Sequence, residues 1–436
     1  MFGIFASADR KMRTQASHWL ELADKVRHYR RDVITPAELG ELDEQSGELR
    51  RLLRARAERM KLKLAVESLE EVLRRLGGTH YPKSSLVENV EFFLVAAIVI
   101  LGFRTYFIQP FKIPTNSMWP SYYGMTADVL PLDEVAPGPI ERTFRLLAFG
   151  ARRHEVTAPR SGQVSAEFFE SGSLAYTLKS GRKWFVLPAT VKEYTFYVDG
   201  EPASLTVPLD FHDVDRAVWE TYFGNQEGFL DYMQRQARNG QSLQRRVIEL
   251  NPANGSSRRV VRVPLNRTVA AGEPLLRFDL LTGDQLFVDR MSYHFARPSV
   301  GQGFVFRTGQ IDSPFMTNPT TGRPLDEYYI KRLVGLPGDT LAIQDYTLYR
   351  NGKPITGSPA FDKNARRADR FVGYRNEQAL GVGQTMSVPA DHFMVLGDNS
   401  ANSQDSRYWG HVPAKSVIGK PFLIYFPFTK RWGPAR

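Results

Sequence analysis

A long apolar segment between residues 87 and 108 limits what this chain can fold into more than any other feature. Its centre reads FFLVAAIVILGF, and its few charged or strongly polar residues stand near its ends: Glu88, Asn89, Glu91 and Arg104. Roughly 20 helical residues of this kind are enough to cross the hydrocarbon core of a bilayer. We therefore predict a transmembrane helix at 87–108. Because the fully apolar centre is short, a helix buried inside a soluble domain is the alternative.

The segment before this span, residues 1–86, has the pattern of a helical region. One set of apolar residues has the spacing of a helix face: Trp19, Leu22, Val26, Tyr29 and Val33. A second such stripe runs over 62–76, and the order Thr35, Pro36, Glu38 predicts a helix start. We predict a helical hairpin or short coiled coil, with a solvated charged face as the alternative. The flanking charges differ little, and they favour a cytoplasmic location for this region.

Composition excludes several classes of chemistry. The chain has a net charge of +10, but the basic residues are dispersed and no nucleic-acid-binding motif organises them. It has no cysteine, which excludes disulfides and thiolate catalysis. The eight histidines are scattered, without the spacing of metal ligands. We expect no nucleic-acid partner and no metal.

After residue 109 the pattern changes to short β-branched or alternating runs, such as YTFYVDG, YYIKRLVGL and HFMVLGDN. Each run is bounded by Gly, Pro, Asn or Asp, which is typical of strands joined by turns. This predicts a mainly β domain over 109–436. The part from 135 to 280 is less regular, contains one expected helix within VDRAVWETYFGNQEGFLDYMQRQARNG, and is interpreted as a β-rich insertion of unknown role.

One serine and one lysine stand out as candidates for chemistry. A serine hydroxyl needs a neighbouring base to become a nucleophile, and no histidine here has a suitable setting. Lys331 lies in the apolar strand YYIKRLVGLPGD, where burial would lower its pKa and let it accept a proton from Ser117 of IPTNSMWPS. A lysine whose amine reaches out of the strand to water is the alternative.

Four segments that follow the apolar span resemble, in order, the sequence boxes of bacterial type I signal peptidases (leader peptidases). They are PTNSMWPS at 114–121, GDQLFVDR at 283–290, YYIKRLVGLPGD at 328–339 and LGDNSANSQDSRYWGHVP at 396–413. The resemblance covers the span and the four boxes with their flanks, somewhat under half of the chain. It implies a mainly β catalytic domain of signal-peptidase type on the outer side of a membrane.

Carried over position by position, the resemblance makes Ser117 the nucleophile and Lys331 the general base. Thr115 matches a hydroxyl residue that helps the backbone amide of Ser117 to hold the oxyanion. Ser403 matches the serine that orients the base. The remaining matches have structural roles around the site: Gly397, Asp398 and Asn399 in a tight turn, Asp405 and Arg407 as an ion pair, and Arg332 beside the base. Met118 is expected to neighbour the substrate, with packing as the alternative.

The resemblance further implies a membrane-anchored serine endopeptidase that removes signal peptides from exported preproteins through an acyl-enzyme, without a cofactor. The expected location is the plasma (inner) membrane, crossed once, with a cytoplasmic N-terminus and the catalytic domain on the periplasmic or extracellular face. The expected partners are preproteins carrying signal peptides and membrane lipid, with the secretion machinery as a further candidate.

The chain departs from the common family pattern in two places. Some 86 mostly helical residues precede the span, and the insertion at 135–280 separates the first two boxes. Neither departure removes a matched residue, but both leave the substrate range open. Two alternatives therefore stand beside the main interpretation: a processing peptidase dedicated to one secretion system, and an inactive membrane scaffold whose insertion binds a partner.

Overall fold

The computed structural model describes residues 8–83, 85–135, 137–183, 187–238, 244–251, 255–317 and 322–435. The chain divides into two compact units, Met1–Gly102 and Phe103–Arg436. Each unit is described by itself.

The first unit begins with three helices that pack around a shared apolar core: α1 Ala8–Arg30, α2 Pro36–Arg54 and α3 Arg59–Leu76. The predicted helix start is confirmed, because Thr35 and Glu38 form a capping box in which the Thr35 amide donates to the Glu38 carboxylate at 3.0 Å. This box ties down the first turn of α2.

The predicted two-helix hairpin was wrong in its number of helices. Leu42 and Leu49 of α2 are buried in the same core as the stripe of α3, so α2 closes a third side of the bundle. Tyr29 and Val33, which the sequence placed on the apolar stripe of the first helix, are exposed. Val33 lies beyond the end of α1 at Arg30, and Tyr29 lies in the last turn of that helix.

The predicted span forms one helix, α4 Ser85–Tyr106, close to the expected 87–108. Its most apolar 18-residue window has a mean hydropathy of 2.1, and none of that window is buried against the rest of the chain. It is the one helix among the described residues that is long and apolar enough to cross a membrane. A core helix of a soluble unit would be mostly buried, so the geometry favours the membrane interpretation.

The second unit is mainly β, as predicted. Its first strands are β1 Ile108–Lys112 and β2 Thr126–Val129. The insertion then contributes α5 Pro139–Phe149, β3 Arg152–Thr157, β4 Gly162–Phe169, β5 Tyr176–Lys183, β6 Leu187–Val198, β7 Glu201–Pro208, α6 Val214–Phe223, α7 Gln226–Arg238, β8 Gln244–Asn251, β9 Ser256–Val269 and β10 Pro274–Leu281.

The remaining elements follow the insertion. They are β11 Gln285–Asp289, α8 Ser292–Phe295, β12 Gly303–Arg307, β13 Tyr328–Gly335, β14 Thr340–Gln344, β15 Thr347–Arg350, β16 Lys353–Pro354, α9 Pro359–Arg366, β17 Thr385–Ser387, β18 His392–Leu396, α10 Ser406–Trp409, β19 Val412–Pro413, β20 Val417–Phe426 and β21 Gly433–Pro434.

An antiparallel sheet in the order β1-β11-β20-β12-β13-β18-β19, with β21 beside β20, contains or adjoins the four boxes. A smaller sheet, β16-β15-β14-β17, lies between β13 and β18 in sequence. Because the strand before the predicted nucleophile, β1, and the strand of the predicted base, β13, belong to one sheet, two residues more than two hundred positions apart can meet.

The insertion leaves and re-enters the domain through a narrow neck. β2 pairs with β10 in a separate three-stranded sheet, with Thr126 opposite Leu281. This pairing marks the two ends of the insertion at Thr126 and Leu281. The predicted bounds, 135 and 280, lie inside it. Beyond the neck stands a six-stranded antiparallel sheet built from β4 to β9. The one helix expected there is two, α6 and α7, separated at Gly224 and Asn225, and α5 was not predicted.

Candidate active site

The segment that carries Ser117 is a short loop after β1, held by hydrogen bonds from the residues just before β2. Ser117 lies in a 3-10 turn over Asn116–Met118. The amide of Met125 donates to the carbonyl of Pro114 at 3.1 Å, and the amide of Gly124 donates to the side-chain oxygen of Asn116 at 2.9 Å. Gly124 and Met125, which lie next to the first strand of the insertion neck, therefore hold the turn in place.

Lys331 reaches this turn from β13, where it pairs with Phe304 of β12. Its Nζ lies 2.6 Å from Ser117 Oγ, and the residue is only 4% exposed. A charged amine donates in such a contact, whereas a neutral amine offers its lone pair to the hydroxyl proton. The structure thus brings together the two residues that the sequence singled out, and the lysine does not extend to water.

Burial sets the protonation of this lysine. Loss of hydration lowers the pKa of Lys331 from 10.5 to about 8, and Asp405 opposes that change by stabilising the ammonium. Arg407 acts in the same direction as burial. A pKa near 8 leaves a usable fraction of neutral amine at neutral pH, which is the condition for a general base.

Arg332, the next residue of β13, supports the strand through a buried ion pair. Its Nε lies 2.8 Å from Asp398 Oδ1, and both side chains are buried. The guanidinium also donates to the carbonyl of Gly301 at 2.8 Å and to Ser121 Oγ at 3.2 Å. Neighbouring strand residues point to opposite faces, so Arg332 fixes β13 while Lys331 faces the nucleophile.

Asp405 organises the last box. Its carboxylate accepts hydrogen bonds from Arg407 Nε at 2.8 Å, from Ser403 Oγ at 2.8 Å and from the Gly397 amide at 2.9 Å. Asp405 and Arg407 are therefore the buried ion pair that the resemblance implied. Among the hydrogen bonds of the described residues, the Ser403 hydroxyl proton goes to Asp405 and none joins Ser403 to Lys331.

Gly397 and Asn399 bring this box against the nucleophile. A Cβ at residue 397 would lie 2.2 Å from Ser403 Oγ and 2.5 Å from the Ser117 carbonyl oxygen, so the backbone has room for glycine alone. The Asn399 amide donates to the same Ser117 carbonyl at 3.1 Å, and its side chain donates to the carbonyl of Asn116 at 3.1 Å. These contacts hold the backbone of Ser117.

Thr115 and Met118 differ in their access to a substrate. Thr115 is exposed, and no hydrogen bond to its hydroxyl occurs among the described residues, so the hydroxyl is available to an oxyanion. Met118 is fully buried in an apolar cluster with Ile113 and Tyr122. The geometry corrects the expectation that Met118 neighbours the substrate, because its side chain packs in the core.

Sequence reasoning missed Asp284, which ties the neck of the insertion to the site. Its buried carboxylate accepts from the Tyr123 amide at 2.9 Å and pairs with Arg431 at 2.8 Å. The amide of Ile113 donates to the Asp284 carbonyl at 2.9 Å. Asp284 lies in the GDQLFVDR box, which could have drawn attention to it. Its partner Arg431 lies outside all four boxes, so the pair could not be seen in the sequence. Asn116 was missed as well.

Two strand edges lie open beside the dyad. Among described residues, β1 pairs with β11 alone, and the pairing of β13 with β18 begins at Arg332, so Tyr328–Lys331 has a partner on one edge. The rings of Phe111 in β1 and Tyr328 in β13 meet with centroids 5.1 Å apart. An extended peptide lying along either edge would reach the serine and the lysine.

The described residues contain no group of three or more His, Asp or Glu side chains placed to hold a metal ion. The site therefore consists of a serine, a buried amine, a free threonine hydroxyl and backbone groups. Such a set is suited to acyl transfer.

Comparison with known proteins agrees with this chemistry. Residues 276–426 match the family described as signal peptidase, peptidase S26. A signal peptidase I of Bacillus licheniformis is 34% identical over 131 residues, which are 29% of this chain and 68% of that protein. The chain belongs to the signal peptidase, peptidase S26 family.

Other members of the family match a similar share of the chain. A signal peptidase I of Leptolyngbya laminosa is 33% identical over 151 residues, 35% of this chain and 64% of that protein. A signal peptidase I structure from Enterococcus faecalis is 29% identical and covers 29% of this chain and 97% of its own, with a TM-score of 0.21. For the first curated relatives, the match spans 60 to 66% of their length.

The family match contains Lys331 and Ser403 but ends well short of Ser117 on the N-terminal side. The position of the serine therefore depends on the geometry described above. One relative, from Staphylococcus aureus strain Mu50, is named an inactive signal peptidase IA and is 30% identical over 148 residues, 34% of this chain and 72% of its own length.

Proposed function

We propose that this chain is a membrane-anchored serine endopeptidase that removes signal peptides from exported preproteins with a Ser117 and Lys331 dyad. One observation carries the proposal: the Lys331 amine is buried and lies 2.6 Å from the Ser117 hydroxyl. A buried amine of lowered pKa beside a serine is the arrangement that turns a weak nucleophile into a reactive one.

In the first half of the reaction, neutral Lys331 takes the proton of the Ser117 hydroxyl as Oγ attacks the scissile carbonyl carbon. The carbonyl oxygen becomes an oxyanion, which the Ser117 amide and the Thr115 hydroxyl stabilise. When the C–N bond breaks, the lysine ammonium gives its proton to the leaving amine. The products of this half are the new N-terminus of the mature protein and an ester on Ser117.

In the second half, water replaces the leaving amine. Lys331, neutral again, takes a proton from this water while the hydroxide attacks the ester carbonyl. The second tetrahedral species collapses, the proton returns to Ser117 Oγ, and the signal peptide leaves as a carboxylic acid. Protons balance over the cycle, so no metal or cofactor is needed.

We propose that substrate binds as an added strand along the open edges of β1 and Tyr328–Lys331. Main-chain hydrogen bonds would then supply affinity, and side-chain pockets would supply selection. Family resemblance leads us to expect small residues, commonly alanine, at the first and third positions before the cut.

We propose a single-pass location in the plasma (inner) membrane, with α4 as the anchor, residues 1–86 in the cytoplasm and the catalytic domain outside. The link between α4 and β1 is one residue, Phe107, and Ser117 follows the apolar centre by about fourteen residues. This short chain length allows the nucleophile to lie near the lipid surface, where a membrane-inserted substrate presents its cleavage point. Lipid and the secretion machinery are the expected partners besides preproteins.

A synthetic precursor peptide and the full chain in detergent micelles test the proposal. Ser117→Ala and Lys331→Met should each abolish turnover; methionine keeps the length and apolar character of the buried stem while removing the amine. Ser387→Ala and Lys415→Met, at exposed positions outside the site, are the matched controls and should cleave normally. Normal cleavage by either site variant refutes the dyad.

A second candidate is an inactive scaffold, favoured by the existence of a relative named inactive. It predicts that the unaltered chain cleaves no precursor and that Ser117→Ala retains its cellular role. A processing peptidase dedicated to one secretion system is the third candidate, and the size of the insertion favours it. A panel of exported precursors separates it from a general enzyme.

A further inference from the structure

The first turn of α6, a helix of the insertion, is bonded to the backbone of β2. Asp213, which directly precedes α6, accepts a hydrogen bond from the Ala127 amide at 2.8 Å. Arg216 of α6 donates to the carbonyl of the same residue, and its guanidinium pairs with Asp213 at 2.6 Å. Among the described strands β2 pairs with β10 alone. The two side chains therefore take the place of a neighbouring strand at Ala127.

The chain at the start of β2 also packs into the core of the insertion. Met125 and Ala127 are both buried, and they lie in the same apolar cluster as Val214 and Ala217 of α6. The segment 125–127 is therefore fastened to the insertion twice, by side-chain packing and by hydrogen bonds to its backbone. Its position depends on where the first turn of α6 lies.

The same stretch of chain holds the turn that carries the nucleophile. The Met125 amide donates to the Pro114 carbonyl, and the Gly124 amide donates to the side-chain oxygen of Asn116. One residue separates Met125 from the residue that α6 holds. Because the backbone between them is part of a paired strand, a shift of α6 is passed to the turn and so to Ser117.

A further contact joins the insertion to the chain that enters this turn. Lys112, the last residue of β1, has its Nζ 3.9 Å from the carboxylate of Asp210 and 3.0 Å from the sulfur of Met125. Asp210 lies in the loop between β7 and α6, three residues before Asp213. This one loop of the insertion thus contacts the chain both before and after the turn of Ser117.

We propose that the insertion positions the nucleophile, and that Asp213 is the residue through which it does so. Asp213 has no hydrogen bond to Ser117 or Lys331 among the described contacts, so it is a positioning residue that acts through β2. The direction of the Ser117 hydroxyl matters because a misplacement of about 1 Å can cost about a hundredfold in rate. The inference rests on the proposed peptidase function, and it gives the insertion a role inside the enzyme itself.

Steady-state cleavage of a precursor peptide by the full chain in detergent micelles tests this proposal. Asp213→Ala removes the acceptor of the Ala127 amide, whereas Asp213→Asn keeps a side-chain oxygen there. Glu167→Ala is the matched control. Glu167 is also a mostly buried carboxylate of the insertion, paired with Arg246 at 2.6 Å and Arg262 at 3.0 Å, but its described ion pairs all lie within the six-stranded sheet.

Asp213→Ala should lower kcat by at least about tenfold and leave KM unchanged, because the substrate edges stay in place while the serine loses its direction. Asp213→Asn and Glu167→Ala should stay close to the unaltered kcat. The midpoint of the pH profile of kcat/KM should remain near 8 in Asp213→Ala, since Lys331 stays buried. A merely structural effect would instead lower kcat equally in Asp213→Ala and Glu167→Ala, and that result overturns the inference.

Three other results also overturn it: an unchanged kcat in Asp213→Ala, a rise in KM alone, or a midpoint that moves from 8 towards 10.5 because the lysine has become hydrated. Should Asp213→Ala fail to fold, Arg216→Met makes the same comparison, since it removes the donor to the Ala127 carbonyl and leaves the acceptor of the amide. Its kcat should fall several-fold at constant KM, and an unchanged kcat refutes the positioning role. Failure of the peptidase function itself is seen separately, as normal cleavage by Ser117→Ala.

Discussion

The pH dependence of cleavage tests the role of Lys331 quantitatively. The proposed mechanism requires the neutral amine, and burial lowers its pKa to about 8. With that pKa, about one molecule in ten has a neutral Lys331 at pH 7 and about one in a hundred at pH 6. The rate should therefore fall roughly tenfold per pH unit below 8 and level off above it.

The assay is kcat/KM for a precursor peptide without groups that titrate between pH 5 and 10, because this parameter reports the pKa of the free enzyme. A histidine base would give a midpoint near 6.5, so the profile separates the two bases. Lys415→Met, at an exposed lysine, should leave the profile unchanged. A rate independent of pH between 6 and 8, or a midpoint near 6.5, would refute the reasoning about the buried amine.

Three further predictions follow from the geometry. Lys331→Met should raise the free energy of unfolding by about 3 kcal/mol below pH 8, because it removes a buried ammonium whose pKa burial has lowered from 10.5 to about 8. This gain should vanish as the pH rises from 8 to 10.5, where the lysine of the unfolded chain also loses its proton. Urea denaturation at several pH values measures the difference. Thr115→Val should lower kcat by about two orders of magnitude while Thr115→Ser stays close to the unaltered rate, which steady-state kinetics would check. Gly397→Ala should abolish cleavage, because its methyl group overlaps the Ser117 carbonyl and Ser403, whereas Gly47→Ala, at an exposed position of α2 with open space around it, should retain cleavage in the same assay.

Much of the candidate site could be predicted because its signals are local. Ser117 and Lys331 each stand in a short segment whose residue types indicate chemistry, and the order of the boxes connects them. The capping box at Thr35 and the apolar α4 are likewise properties of a few neighbouring residues. Such signals survive in a single sequence because they do not depend on distant contacts.

What could not be predicted depends on contacts between distant residues. The neck of the insertion is set by the pairing of Thr126 with Leu281, which no local pattern marks. The ion pair of Asp284 with Arg431 joins a box to a residue outside all boxes. The start of α2 was predicted, but its place as the third helix of the bundle was not, because its buried residues, such as Leu42 and Leu49, are sparse among charged neighbours and become a core only against α3.

Met118 shows the limit of transferring a role by resemblance alone. The sequence offered two interpretations, a substrate neighbour or a packing residue, and nothing in the local pattern chooses between them. The structure favours the packing role, because the side chain has no exposed surface and joins the cluster around Ile113 and Tyr122. The dyad, by contrast, depends on one distance that the sequence cannot supply.

A chemical trap for the acyl-enzyme tests the central claim most directly. A precursor peptide is mixed with the full chain, the reaction is stopped with acid during the first turnovers, and the digested protein is examined by mass spectrometry. The account predicts the signal-peptide acyl group as an ester on Ser117, and no such adduct in Lys331→Met. Cleavage without an adduct at Ser117, or an adduct at another residue, would contradict it.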